Sequence, residues 1–233
     1  MHKPLDISAY LVVGPENTLE RPIGSIVEAA IIGGFTTIQI RSKVASAREL
    51  IDLVKQSAAI IERLNPNVTL LVDDRLDVVL AARSMGVKVD GIHVGQSDIP
   101  VDVCRKFLGA DSIIGLSART TDLIDYVKTA DVSDIDYFGA GPLHETPTKP
   151  DCGRAADGSI ITHGFDELKT LASISPRPIV VGGGVKVNDL AQLAATGVNG
   201  FFVVSAVAGA DDPLSAARSL VDTWNAHQPN STR

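Results

Sequence analysis

Two aspartates at the ends of apolar runs are the residues in this chain best placed to do chemistry together. Leu70-Leu71-Val72 stops at Asp73-Asp74-Arg75, and Gly91-Ile92-His93-Val94 stops at Gly95-Gln96-Ser97-Asp98. Between them Leu76 to Ser84 is rich in helix formers and holds no Gly or Pro. Strand, helix, strand is a βαβ unit, whose strands run parallel and end on one edge of the sheet. Asp74 and Asp98 should therefore face one crevice. Carboxylates brought together repel unless a proton or cation stands between them. Mg²⁺, which keeps several waters and completes its shell with substrate phosphates, suits so small a set of oxygen donors. Each Asp taken alone would do no more than cap the helix that follows it.

Other stretches carry polar groups where a buried strand should be apolar. In Thr37-Ile38-Gln39-Ile40-Arg41-Ser42-Lys43 the side chains of Gln39, Arg41 and Lys43 fall on one side of an extended chain. A parallel strand covered by helices reads apolar on both faces, so these three point to a site: Arg41 and Lys43 for an anion, Gln39 for a neutral hydrogen-bonding partner. The plainer alternative is an edge strand with a solvated face. Gly141-Pro142-Leu143-His144-Glu145-Thr146-Pro147-Thr148-Lys149-Pro150 presents hydroxyls and an ammonium on a loop restricted by Gly and Pro, and the segment to Gly164 is too long for an ordinary connection, which favours a functional lid. His144 and His163 read as surface histidines of that loop. Gly182-Gly183-Gly184, ahead of a helix expected over 187–196, lets backbone N–H groups approach an anion. Ser117 and Ser205 each follow an apolar strand.

The positioning elements alternate. Strands are expected at 7–13, 37–43, 70–75, 91–94, 112–117, 136–140, 178–181 and 200–204. The helices are expected at 23–32, 45–64, 76–84, 101–108, 120–129 (capped by Thr120 or Thr121), 165–173, 187–196 and 213–226. Eight strands each followed by a helix make a single (β/α)8 TIM barrel over residues 1–227, with 228–233 as a disordered tail. In that fold the site forms at the strand C-termini, where all the motifs above fall. No internal repeat stands out beyond the alternation itself.

The 233 residues suit one such domain. Aromatic content is 4%, so the core is expected to be built from Val, Ile, Leu and Ala. A net charge of −7 without a Lys/Arg cluster argues against nucleic acid, and makes the few cations at strand ends more informative. Cys104 and Cys152 form neither metal spacing nor disulfide framework. Without a signal-peptide run or a membrane-length apolar segment, a soluble cytoplasmic protein is expected.

Taken in order, Gln39-Ile-Arg41-Ser-Lys43, Val72-Asp-Asp74-Arg75, Gly91-Ile-His-Val-Gly-Gln96-Ser-Asp98, Gly115-Leu-Ser117, Gly141-Pro with Thr146-Pro-Thr148-Lys149-Pro, Gly183-Gly184 and Val203-Val-Ser205-Ala206 closely resemble the thiamine phosphate synthase family, from about Tyr10 to Val207. The resemblance implies a Mg²⁺-dependent transferase joining aminopyrimidine-methyl pyrophosphate to thiazole phosphate, with release of pyrophosphate. It implies Asp74 and Asp98 as metal ligands, and Gln39, Arg41, Lys43 and Lys149 around the pyrophosphate and pyrimidine. It also implies Ser117 near the reacting groups, and Thr146, Thr148, Gly184, Val204 and Ser205 around the thiazole phosphate. Arg41, Lys43, Ser117 and Lys149 would carry the catalytic work. The family usually has Asn where this chain has Asp73, which is either a third metal-shell carboxylate or a replacement for an amide acceptor at the substrate. Small-molecule substrates are the implied partners, and a homo-oligomer is compatible with the sequence. A thiazole tautomerase of the same barrel would need an acid/base histidine after strand five; Arg119 stands there and is a poor proton shuttle. A silent barrel that binds thiamine precursors or a partner protein is another alternative, and other phosphate-binding barrels are a fourth, which would explain Gly182 to Gly184 and Ser205 but not Asp74 with Asp98.

Overall fold

The computed structural model describes residues 5–144 and 164–228. Among them eight parallel strands close into a barrel in sequence order, β8 returning to pair with β1. The elements are β1 (Ala9–Val13), α1 (Ile23–Ile32), β2 (Thr37–Ile40), α2 (Ala47–Leu64), β3 (Thr69–Asp73), α3 (Leu76–Ser84), β4 (Gly91–Val94), α4 (Val101–Leu108), β5 (Ile113–Arg119), α5 (Thr120–Thr129), β6 (Tyr137–Gly141), α6 (Phe165–Ile174), β7 (Ile179–Val181), α7 (Leu190–Ala194), β8 (Gly200–Val203), α8 (Ser205–Ala208) and α9 (Pro213–His227). The expected tail lies outside the described residues from 229 onward.

The period-2 alternation of each strand divides the interior into two apolar bodies. Outward residues such as Leu11, Ile38, Leu70, Ile92, Ile114 and Phe138 pack beneath the helices, while Tyr10, Val12, Leu71, Tyr137 and Val180 fill the barrel. α2 shows how a helix meets this layer: Leu50, Val54, Ser57 and Ile61 recur at helical spacing and are buried on one face. Its start is fixed by a capping box, Ser46 accepting from the Glu49 N–H while the Glu49 carboxylate accepts from the Ser46 N–H. The outer layer is aliphatic as expected, but the largest fully buried side chains are aromatic: Trp224, Tyr10, Tyr137, Phe35, Phe138 and Phe201. Phe201 lies 5.5 Å from Trp224 and 5.9 Å from Phe35, edge to face.

At the N-terminal end the strands are clasped by side chains in a fourfold pattern. Thr36, Asp90, Asp136 and Asn199 each stand immediately before an even-numbered strand. Their side-chain oxygens accept from the backbone N–H of Ala9, Leu70, Ile114 and Ile179, near the start of the preceding odd strand, at 3.3, 2.8, 2.7 and 2.8 Å. Their own N–H groups donate back to the carbonyls of the same four residues at 2.8 to 2.9 Å. Each clasp satisfies an N–H that the staggered strand ends would leave unpaired.

Two local expectations fail for identifiable reasons. β5 runs two residues beyond Ser117 to Arg119, so α5 begins directly from the strand with Arg119 as N-cap and no capping side chain. Thr120 is then buried with its hydroxyl unpartnered rather than capping. The helix expected over 187–196 is a 3-10 turn, Val187–Asp189, followed by the five-residue α7; Asp189 accepts from the Lys186 N–H at 2.8 Å and so holds the turn tight.

Candidate active site

β2 stops at Ile40, yet the alternation that sequence placed on Gln39, Arg41 and Lys43 persists to the rim. Gln39 is buried inside the barrel, 3% exposed, Arg41 is half-buried and Lys43 is exposed. Gln39 Nε2 donates to Asp73 Oδ1, and Arg41 Nε stands 3.0 Å from Asp73 Oδ2. Asp73, the last residue of β3, therefore points inward with both oxygens engaged. Asp74, next along, adopts a left-handed backbone conformation, φ 58°, and its carboxylate meets Lys43 at the rim as well as Asp73. That conformation costs of order 1 kcal/mol, and Asp tolerates it better than most residues. The Asp74 N–H donates to the His93 carbonyl at 2.8 Å, which locks the turn onto β4.

Asp74 receives the Lys43 ammonium and also contacts Asp98, whose carboxylate is fixed by accepting from the Gly95 N–H at 2.9 Å. Burial and the adjoining Asp74 push the Asp98 carboxyl above its ordinary range. Burial presses Asp74 the same way, but hydrogen bonds from Lys43 and Asp98 hold it below. The βαβ argument for one shared crevice is thus met by direct contact. Among the described residues no group of three or more His, Cys, Asp or Glu is arranged to hold a metal, so the pair stands as a two-carboxylate donor set. Glu16, from the loop after β1, ties this rim down by accepting from Ser42 Oγ at 2.7 Å and the Lys43 N–H at 2.9 Å.

Beneath the rim lies a polar layer that single-strand reading missed. Tyr10 donates to Gln39 Oε1 and meets the Tyr137 hydroxyl at 2.8 Å; Tyr137 meets His93 Nδ1 at 2.7 Å; His93 Nε2 meets Ser117 Oγ. Tyr10 and His93 each sit in an apolar run and look like core. Their signal was the inward period of their strands, together with Gly115 opposite His93 and Gly139 opposite Ser117.

On the far side of the mouth, β6 and β7 are joined by Leu143 and His144 donating to the Gly182 and Gly183 carbonyls at 3.0 and 2.8 Å. His144 Nε2 lies 3.0 Å from Asp189 Oδ1. Gly183 and Gly184 have φ of 82° and 72°, which explains glycine there. Val204 is half-buried and Ser205, exposed, opens α8. These residues share the C-terminal rim with the acidic pair. Thr146, Thr148 and Lys149, with Cys152 and His163, lie outside the described residues.

A closed β/α barrel with ionisable groups gathered at the C-terminal mouth defines the class: a TIM-barrel enzyme. Comparison with known proteins gives the family. The family model for thiamine monophosphate synthase matches residues 9–207. Thiamine-phosphate synthase of Corynebacterium jeikeium is 38% identical over 226 residues, 97% of this chain and 98% of that protein. Its counterpart from Natronomonas pharaonis is 34% identical over 225 residues, again 97% and 98%. The solved structure of thiamine phosphate pyrophosphorylase from Pyrococcus furiosus superposes with a TM-score of 0.76 at 28% identity, covering 94% of this chain and 96% of that one. The chain belongs to the thiamine monophosphate synthase family, a family of transferases. The fold alone is shared with 3-hexulose-6-phosphate synthase from Salmonella typhimurium, TM-score 0.68 at 18% identity over 95% and 100% of the two chains.

Proposed function

We propose that this chain joins 4-amino-2-methyl-5-(diphosphooxymethyl)pyrimidine to 4-methyl-5-(2-phosphoethyl)thiazole, giving thiamine phosphate and pyrophosphate. The observation that carries the reading is the contact of Asp74 with Asp98 at the barrel mouth, with Lys43 on Asp74 and Arg41 immediately behind. Two neighbouring carboxylates fit a divalent cation, because a cation offsets the burial and the adjoining Asp74 that push the Asp98 carboxyl up. An all-oxygen pair with room for water and phosphate suits Mg²⁺. Asp74 and Asp98 would hold it, and when bound it would neutralise charge on the pyrophosphate.

The chain's own groups account for the rest. Lys43 and Arg41, with Lys149, receive the pyrophosphate as its C–O bond breaks and the electron pair leaves with the oxygen. The pyrimidine, held over Gln39 and Ser117, delocalises the positive charge left on its methylene carbon. The thiazole nitrogen then donates its lone pair to that carbon, and holding the two rings in contact supplies much of the remaining acceleration. Asp73 supports Gln39 and Arg41 from below. Thr146, Thr148, Gly184, Val204 and Ser205 receive the thiazole phosphate. No protein nucleophile is needed. The protein acts in the cytoplasm on small molecules; no helix among the described residues is long and apolar enough to cross a membrane.

Thiamine phosphate formation from the two purified substrates, read as thiochrome fluorescence after oxidation, tests this reading. Product that requires Mg²⁺, disappears with chelator and is lost in Asp74→Asn is expected. Asn retains tolerance for the left-handed backbone, so the variant should stay folded. Bound substrates with no product in the presence of Mg²⁺ would refute the synthase reading.

A further inference from the structure

A continuous chain of hydrogen bonds crosses six strands inside the barrel, from Asp73 through Gln39, Tyr10, Tyr137 and His93 to Ser117. Its hydrogens can be placed by elimination, starting from Asp73 Oδ1, which accepts from Gln39 Nε2 while the Arg41 guanidinium stands 3.0 Å from the other oxygen. Gln39 spends an N–H on Asp73, which leaves its carbonyl oxygen facing Tyr10. Tyr10 must donate there, and having one hydrogen it can only accept from Tyr137. Tyr137, its own hydrogen spent, accepts from His93 Nδ1. A neutral imidazole protonated at Nδ1 offers a lone pair at Nε2, and the Ser117 hydroxyl hydrogen is drawn to it. Burial raises the pKa of both phenols well above its ordinary value, so each keeps its proton.

The barrel is built to make room for this chain. Gly115 lies in register between His93 on β4 and Tyr137 on β6. A Cβ there would stand 2.2 Å from Tyr137 Cζ and 2.4 Å from His93 Nδ1. A Cβ at Gly139 would stand 2.4 Å from Ser117 Oγ. Real side chains do not approach so closely, and the two glycines let the rings meet across an intervening strand.

We propose that Asp73 is a positioning residue that sets the direction of this chain, holding His93 as the Nδ1–H tautomer and leaving Ser117 an acceptor only toward the mouth. Ser117 then selects a ring that presents an N–H. On the function proposed above, that group is the exocyclic amine of the pyrimidine, and a ring carrying an oxo group in its place would set lone pair against lone pair. Arg41 and the carboxylate are the fixed end, and Ser117 is the reading end.

The test is ¹⁵N NMR of the labelled apo protein at neutral pH, with the His93 ring signals assigned by their absence in His93→Gln. The expected pattern is a protonated, pyrrole-type Nδ1 and an unprotonated, pyridine-type Nε2. An Nε2–H tautomer or an imidazolium would overturn the proposal. In Asp73→Asn the side-chain oxygen turns to Arg41 and the amide to Gln39, so every hydrogen downstream reverses and His93 should become the Nε2–H tautomer. The same variant should lose the wild-type preference, about tenfold or more, for 4-amino-2-methyl-5-hydroxymethylpyrimidine over its 4-oxo analogue in a binding titration. Tyr10→Phe cuts the chain without touching Asp73 and should give mixed tautomers. An unchanged tautomer in both variants would sink the assignment to Asp73. Because the NMR needs no turnover, an inactive wild-type protein with the expected tautomer would refute the synthase reading and leave this one standing.

Discussion

Removal of the Arg41 guanidinium should destabilise the fold more than removal of the charge it pairs with. The Asp73 side chain is 4% exposed and the Arg41 side chain 13%, with Nε and Oδ2 3.0 Å apart. At an effective dielectric near 20, that separation corresponds to about 5 kcal/mol of attraction, offset by desolvation of both groups. In Arg41→Met the Asp73 carboxylate remains inside the barrel without the guanidinium that faces it, and stranding a buried charge costs about 3–5 kcal/mol. Asp73→Asn leaves Arg41 closer to the mouth, where water and the Asn oxygen solvate it, and should cost about 1–2 kcal/mol. Against a stability of about 5–15 kcal/mol, the difference is large. Urea denaturation followed by far-UV circular dichroism would show it as a larger fall in midpoint for Arg41→Met at unchanged slope. Equal midpoints, or a larger fall in Asp73→Asn, would refute the claim that Asp73 depends on Arg41.

Three further outcomes follow from local geometry. Ser46→Ala removes half of the α2 capping box and should cost about 1 kcal/mol in the same denaturation experiment. The bonds from Ser46 lower the Glu49 pKa, so the stabilisation from Glu49 is present above the unfolded glutamate pKa and is lost as pH falls through the lower folded value; a ¹³C titration of Glu49 that returned an ordinary midpoint in wild type would contradict this. Cys104 is buried and its thiol is pushed up to about 11 by burial and the nearby Asp102. In a Cys152→Ser variant, thiol reagents at pH 8 should therefore react only as the protein unfolds, and rapid labelling of the native state would count against the packing of α4.

The barrel was legible because each half of a β/α unit leaves its own period in the chain. Asp74 and Asp98 were legible because a βαβ unit admits one arrangement of its strand ends. The polar layer beneath them was not, since Tyr10 pairs with Tyr137 across 127 residues and neither strand betrays the other's content. Asp73 was readable as a third metal-shell carboxylate or a replacement for an amide acceptor; its contacts with Gln39 and Arg41 inside the barrel depend on tertiary geometry that residue types alone do not reveal. The shortened helix after Gly184 and the uncapped start of α5 were misjudged for a similar reason. In the first a local bond from the Lys186 N–H to Asp189 holds a tight turn, and in the second the pairing of β5 with β6 runs on to Arg119, so regular helix begins where neither residue type announces it.

The clasps at the opposite end recur once every two β/α units, with Thr36, Asp90, Asp136 and Asn199 in equivalent places. Their differing side chains hide the repeat from the sequence, but physically they divide the barrel into four quarter modules, each a strand pair bolted at its base. New termini opened between modules, as at Asn65–Asn67 ahead of β3, would leave every bolt inside one continuous stretch of chain. A cut between β1 and β2 would instead make one bolt join two separated ends. A circularly permuted protein broken at a module boundary should assemble more readily than one broken within a module, and the same boundaries are natural places to exchange quarters between related barrels.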